Sequence, residues 1–336
     1  MPAPRSRKPA DQYAGAPARH PTQTSGSREA SVHPLTLPAM TTTAALPLGS
    51  DADLGLGQGR LINADAISGL ATLSDESVQC VVTSPPYWGL RDYGMDGQIG
   101  AEPTLSEYVE NLVKVFDDVW RVLRSDGVFW LNIGDGFTSG GRTWRQADGK
   151  LPARGMSYRP DTPEGMKPKD LMGVPWMVAF ALRAQGWYLR TDIVWNKPNA
   201  NPESVRDRPT RSHEFVFMFS KNERYFYDVD ATVEPTGNRK GTRRKRSVWD
   251  VNTEPFPEAH FACFPPKLVE PCVLASSRPG DVVLDPFFGS GTVGQVARNL
   301  GRDFIGIELN GDYVDIAKRR LKSRSADYEV PVTRLR

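Results

Sequence analysis

The chain has 336 residues, with 42 Lys and Arg against 40 Asp and Glu and a formal net charge of +2. That length permits one large α/β domain with insertions, and the near balance of charge means that contact with a polyanion has to come from local clusters. Three cysteines without metal-ligand spacing speak against a disulfide scaffold or a zinc site, and no apolar run is long enough for a membrane helix or has the form of a secretory signal.

Residues 1–58 are rich in Ala, Pro, Ser, Thr and Gly, lack hydrophobic periodicity, and are predicted to be a disordered N-terminal extension. Met40 is an alternative start. The first predicted strand is Leu61–Asn63, and Asp65 just after it reads as a helix N-cap. The apolar strand Val78–Thr83 runs into Ser84-Pro85-Pro86-Tyr87-Trp88. On these residues alone, that segment is equally well a Pro-Pro turn closing a buried strand. A helix is predicted over Ser106–Leu123, because Val109, Leu112, Val113, Phe116 and Val119 form one stripe. Further strands are predicted at Val128–Ile133, Tyr188–Asn196, Glu214–Ser220, Val282–Leu284 and Phe304–Glu308, making seven. Helices are predicted at Pro175–Gln185, Lys267–Ser276, Val293–Leu300 and Tyr313–Lys322. The expected domain spans 59–325, followed by a tail, 326–336. Long irregular insertions at 134–169, 197–212 and 236–247 are candidate recognition loops, since loops of this length in a compact domain usually carry function.

The C-terminal part holds a strand, a glycine turn and a helix start: Asp285-Pro286-Phe287-Phe288-Gly289-Ser290-Gly291-Thr292. Glycines let a backbone approach a ligand, and free helix N–H groups attract anionic groups. Glu308 closes the next strand, where a carboxylate can accept both hydroxyls of a ribose. Gly289, Gly291 and Gly294 also fit the dinucleotide fingerprint. Their place near the C-terminus leaves too little chain for the second half of a dinucleotide domain.

Taken together, these segments resemble the SAM-dependent DNA amino-methyltransferases, which methylate N4 of cytosine or N6 of adenine. Ser84-Pro85-Pro86-Tyr87 resembles their (D/N/S)PP(Y/F) motif, and Asp285-Pro286-Phe287-Phe288-Gly289-Ser290-Gly291-Thr292 their S-adenosylmethionine motif. The region around Asp65 resembles the family's acidic motif for the cofactor adenine, and His260 to Pro265 its segment around the methionine end of the cofactor. The resemblance implies an α/β, Rossmann-like methyltransferase fold with a seven-stranded mixed sheet. The catalytic motif precedes the cofactor motif, as in the circularly permuted β group. It implies cofactor contacts from Asp65, Phe261, Phe264, Pro265, Asp285, Phe287, Gly289, Ser290, Gly291, Thr292 and Glu308. It further implies that the Ser84 hydroxyl and the Pro85 carbonyl accept hydrogen bonds from the target amino group, freeing its lone pair. The prolines hold these acceptors still, and Tyr87 offers a face to a base taken out of the duplex.

The implied partner is double-stranded DNA, and the implied setting is the cytoplasm of a prokaryote or an enzyme encoded by a phage. No nuclease motif is present, so any cognate restriction endonuclease would be a separate chain. Ser at position 84 favours N4 of cytosine; N6 of adenine is the alternative. A catalytically inactive DNA-binding protein of the same fold is disfavoured by the intact motifs, and an RNA or protein substrate by the motif order. Arg243, Arg244, Lys245 and Arg246 are candidate phosphate contacts, with Arg142 and Arg145 in the first long insertion. The Pro271-Cys272 pair matches the nucleophile of C5-cytosine enzymes in type, but lies in a predicted helix away from the catalytic strand. Cys272 is therefore read as structural.

Overall fold

The computed structural model describes residues 56–138, 160–236, 241–254, 264–322 and 328–335. The chain divides at residue 50, and the part up to there lies outside the described residues.

One mixed sheet organises the domain. Its strands are β1 (Gly59–Asn63), β2 (Val78–Thr83), β3 (Leu123–Ile133), β4 (Tyr188–Asn196), β5 (His213–Ser220), β8 (Val248–Asp250), β9 (Val282–Asp285), β10 (Asp303–Glu308) and β11 (Val332–Arg334). Their order across the sheet is β11-β1-β10-β9-β2-β3-β5-β4-β8. Two short strands, β6 (Val233–Pro235) and β7 (Thr242–Arg244), form a separate hairpin. Only β5 runs against its neighbours β3 and β4; the other pairings in the sheet are parallel.

Side chains alternate between two cores. Along β3, Phe129, Leu131 and Ile133 join one cluster, while Val128 and Trp130 join the other. Along β5, Phe217 and Phe219 oppose Val216 and Met218 in the same way. Both faces are thus buried, as expected for a mainly parallel sheet. Helices α1 (Ala66–Ala71), α2 (Leu105–Val122) and α3 (Val174–Ala184) cover the first face. Helices α4 (Pro266–Ser276), α5 (Thr292–Asn299) and α6 (Gly311–Lys322) cover the second. The five expected helices appear within two residues of their predicted ends. Helix α2 starts at a capping box, Thr104 with Glu107, that fixes its first turn.

Three expectations need correction. The described sheet has nine strands, not seven, because β8 and β11 add an edge on each side. These strands are too short to show a period-2 pattern in the sequence. Of the tail 326–336, the described residues 328–335 are part of the domain: β11 pairs with β1, and Tyr328 and Val330 are buried. An outer neighbour for β1 satisfies backbone groups, as when Leu61 N–H donates to the Pro331 carbonyl (2.9 Å). At the other terminus residues before 59 already belong to the domain. Gly57 N–H donates to Arg298 O (3.1 Å) and Gln58 N–H to Asp303 Oδ1 (2.8 Å). The rest of 1–58 lies outside the described residues.

Candidate active site

The carboxyl ends of the parallel strands share one edge of the sheet, where ligands of open α/β sheets bind. Strands β2 and β9 are direct neighbours, with Cys80 opposite Val283 and Val81 opposite Leu284. The Ser84 turn and the Asp285 turn, two hundred residues apart in sequence, therefore emerge side by side. A hydrogen bond joins them: Thr83 Oγ1 donates to Asp285 Oδ1 at 2.6 Å. Both turns open on one cleft of about 1280 Å³, room for a nucleoside-sized cofactor beside a base.

On one side of the cleft, Phe287 N–H also donates to Asp285 Oδ1 (3.0 Å). Burial raises the Asp285 carboxyl to about 7. Glu308 ends β10, and burial likewise raises it to about 7. Its oxygens accept Gly289 N–H (2.7 Å) and Asn310 N–H (2.8 Å). A carboxylate has about four lone-pair sites, so backbone donors do not exhaust its capacity to accept from a ribose. Gly289 (φ +52°) and Gly291 (φ +84°) hold left-handed conformations in the turn. A Cβ built on Gly289 meets no protein atom within 4 Å, so the backbone there faces open space. These features fit the methionine and ribose parts of S-adenosylmethionine. Asp65, half-buried, caps α1 by accepting from Ser68 N–H (2.9 Å) and also lines the cleft, so its role as a cap does not remove it from the site. Phe264 and Phe287 line the cleft as well. Pro265 is the N-cap residue just before α4 and is not among the lining residues. Phe261 lies outside the described residues. Ser290 and Thr292 reach the cleft, but their hydroxyls accept from Arg320 Nη1 of α6 (3.0 and 2.9 Å). Their side chains fasten the turn to α6.

On the other side, Tyr108 O–H donates to the Pro86 carbonyl (2.8 Å), fixing the motif from α2. Among the described residues no donor reaches the Pro85 carbonyl. Trp88 is buried beneath the motif, its indole N–H donating to Glu102 O (2.9 Å). Tyr87 O–H donates to Glu214 Oε2 (2.8 Å) and lies 3.5 Å from Ser84 Oγ. Burial, then the charge on Glu214, pushes the Tyr87 phenol well above its usual value, so it stays protonated. The Tyr87 ring packs on Gly134 at the end of β3, where a Cβ would lie 2.8 Å from Tyr87 Cε2.

Sequence reasoning treated Glu214 only as the start of a strand. Because β5 is antiparallel, its first residues arrive where the other strands end. There Glu214 meets Tyr87, Asn132 Nδ2 (3.2 Å) and the ammonium of Lys197. The available signal was an acid at the edge of an apolar strand, the same signal that drew attention to Glu308.

Residues 78–319 match the sequence profile of the family described as DNA methylase. The chain belongs to this family. The methylase is 58% identical over 274 residues to "Type II methyltransferase M.Cfr9I" of Citrobacter freundii, covering 82% of this chain and 91% of that one. It is 60% identical over 267 residues to M.XycI of Xanthomonas campestris pv. cyanopsidis, covering 80% and 89%. A DNA modification methylase of Thermus thermophilus, described as putative and solved with S-adenosyl-L-methionine, superposes with a TM-score of 0.57 at 26% identity, covering 82% and 98%. The PvuII cytosine-N4-specific enzyme shares the fold, with a TM-score of 0.62 at 21% identity, covering 81% and 89%. The methylase is thus a SAM-dependent DNA amino-methyltransferase with the expected Rossmann-like fold.

The basic run departs from expectation. It is not an open loop: Arg243 and Arg244 belong to β7, paired with β6. Arg243 Nε and Arg246 Nε share Glu234 Oε1 at 2.8 and 3.1 Å, and Lys245 lies over the Trp249 ring at 4.9 Å. Arg244 is exposed. Arg142 and Arg145 lie outside the described residues. Cys272 is buried within α4 and burial pushes its thiol well above the usual value, which suits a core residue and not a nucleophile. Among the described residues no helix is long and apolar enough to cross a membrane.

Proposed function

We propose that this methylase modifies N4 of a cytosine flipped from double-stranded DNA, as the modification partner of a separately encoded restriction endonuclease. The observation that carries the reading is the pair of acceptors at the end of β2. Ser84 Oγ and the open Pro85 carbonyl stand at one wall of the cleft, joined to the cofactor turn through Thr83 and Asp285. S-adenosylmethionine, when bound, supplies the electrophilic methyl group. The chain's own part is to orient the amino group: accepting its two N–H bonds draws the lone pair out of conjugation with the ring and aims it. Tyr87 flanks the base, and the cofactor residues are those of the Asp285–Thr292 turn with Asp65 and Glu308. A neutral serine at position 84 favours cytosine. The restriction setting is supported by the type II names of the relatives. Arg243, Arg244, Lys245 and Arg246 contact phosphates near the cleft in this reading, with Arg244 the most available.

The deciding experiment is mass spectrometry of nucleosides from plasmid DNA treated with enzyme and S-adenosylmethionine. N4-methylcytosine is expected. N6-methyladenine alone would replace the target assignment, and no methylated base with a folded, cofactor-binding protein would remove the catalytic reading.

A further inference from the structure

The hydrogen bonds leading away from Ser84 have a direction. We infer that Glu214 is a positioning residue that keeps the Ser84 hydroxyl an acceptor, by holding the Tyr87 proton away from it; this rests on the role given to Ser84 above. A serine hydroxyl is ambivalent, able to donate or accept. Were it to donate toward the target, it would engage the amino lone pair and oppose transfer. An aspartate in its place would need no such control, since a carboxylate only accepts.

Glu214 supplies the missing direction. Its side chain is 17% exposed, with Lys197 at Oε1 and Asn132 Nδ2 and Tyr87 Oη at Oε2. Each of these three groups donates. Tyr87 has one proton, and the carboxylate takes it at 2.8 Å. The Tyr87 oxygen can then only accept from Ser84 Oγ, 3.5 Å away. The Ser84 proton turns toward Tyr87, and its lone pairs stay for the amino group. Ser84 and Tyr87 share the turn after β2 and Glu214 comes from β5, so only the tertiary fold brings the acid to this pair.

Glu214→Gln tests this with almost no change of shape. The Lys197 ammonium repels an amide NH₂, so the amide oxygen turns to Lys197 and its NH₂ to Tyr87. The phenol then accepts there, and its proton is released toward Ser84. The single-turnover methylation rate should fall about tenfold to a hundredfold, as for loss of an oriented polar contact in the transition state. Affinities for S-adenosylmethionine and DNA should stay within about twofold, the pattern of a group acting in the transition state only. Tyr87→Phe keeps the ring and cuts the chain, so it should also slow transfer, and adding Glu214→Gln to it should slow transfer no further.

Independent, multiplying losses in the double variant would mean that Glu214 is only structural, and would overturn the inference. So would a wild-type rate in Tyr87→Phe, a readout that stands even if Glu214→Gln does not fold. Ser84→Ala separates the two levels. If it is slow while folded Glu214→Gln is not, the inference fails and the reading of Ser84 survives. Full activity in Ser84→Ala overturns both.

Discussion

Gly134→Ala tests whether the position of Tyr87 matters to the chemistry. A Cβ at residue 134 would lie 2.8 Å from Tyr87 Cε2 and 3.3 Å from Glu214 Cγ and Cδ. Carbon atoms pack at about 3.5–4.0 Å, so the ring has to retreat by roughly 0.7 Å or more. That is enough to stretch the 2.8 Å bond from Tyr87 to Glu214 toward the limit of a hydrogen bond. Overpacking of this kind costs about 1–3 kcal/mol, partly offset by about 0.4–1 kcal/mol from a stiffer unfolded chain. The protein should therefore fold, with a slightly lower melting temperature. A misplacement near 1 Å can cost about a hundredfold in rate, so single-turnover methylation should fall far more than stability. The assay pairs rapid-quench methylation with calorimetric titration of S-adenosylmethionine, whose affinity should be kept because the contact lies on the other side of the cleft. A wild-type rate would refute the argument that Tyr87 has to stand where Gly134 lets it.

Gly289→Val should abolish measurable S-adenosylmethionine binding, because its side chain enters cofactor space and a β-branched residue strains the left-handed backbone there (φ +52°); wild-type affinity by calorimetry would reject the cofactor turn. Asp285 titrates near 7 when folded, against 3.8 as the reference. A raised carboxyl binds its proton more tightly in the folded state, so its contribution is present below the reference value and is lost as pH rises toward 7. Asp285→Asn should therefore gain stability relative to wild type at pH 8 more than at pH 5, read by urea denaturation without cofactor; an equal difference at both pH values would contradict a raised Asp285. For the basic hairpin, Arg244→Ala with Lys245→Ala should flatten the log–log salt dependence of DNA affinity by up to about two units. Arg243→Ala with Arg246→Ala should do less, since Glu234 already holds both; an unchanged slope in the first pair would leave the hairpin without a DNA role.

The sequence by itself determined the motifs and the elements that carry them. Val78–Thr83 followed by two prolines, and an apolar strand running into Gly289 and Gly291, are local statements about backbone geometry, so they are readable in one dimension. The stripe of Leu112, Phe116 and Val119 places α2 for the same reason. What the sequence left open was how the pieces meet. Only the pairing of β2 with β9 brings Thr83 within 2.6 Å of Asp285. Only the reversed direction of β5 carries Glu214 to the edge where the other strands end. The short edge strands β8 and β11 have no period of their own and form because β4 and β1 offer unpaired backbone. The basic run read as free charge until Glu234, on the facing strand of its hairpin, took two of its cations. Such pairings join residues distant in sequence or depend on strand register, and neither leaves a local pattern.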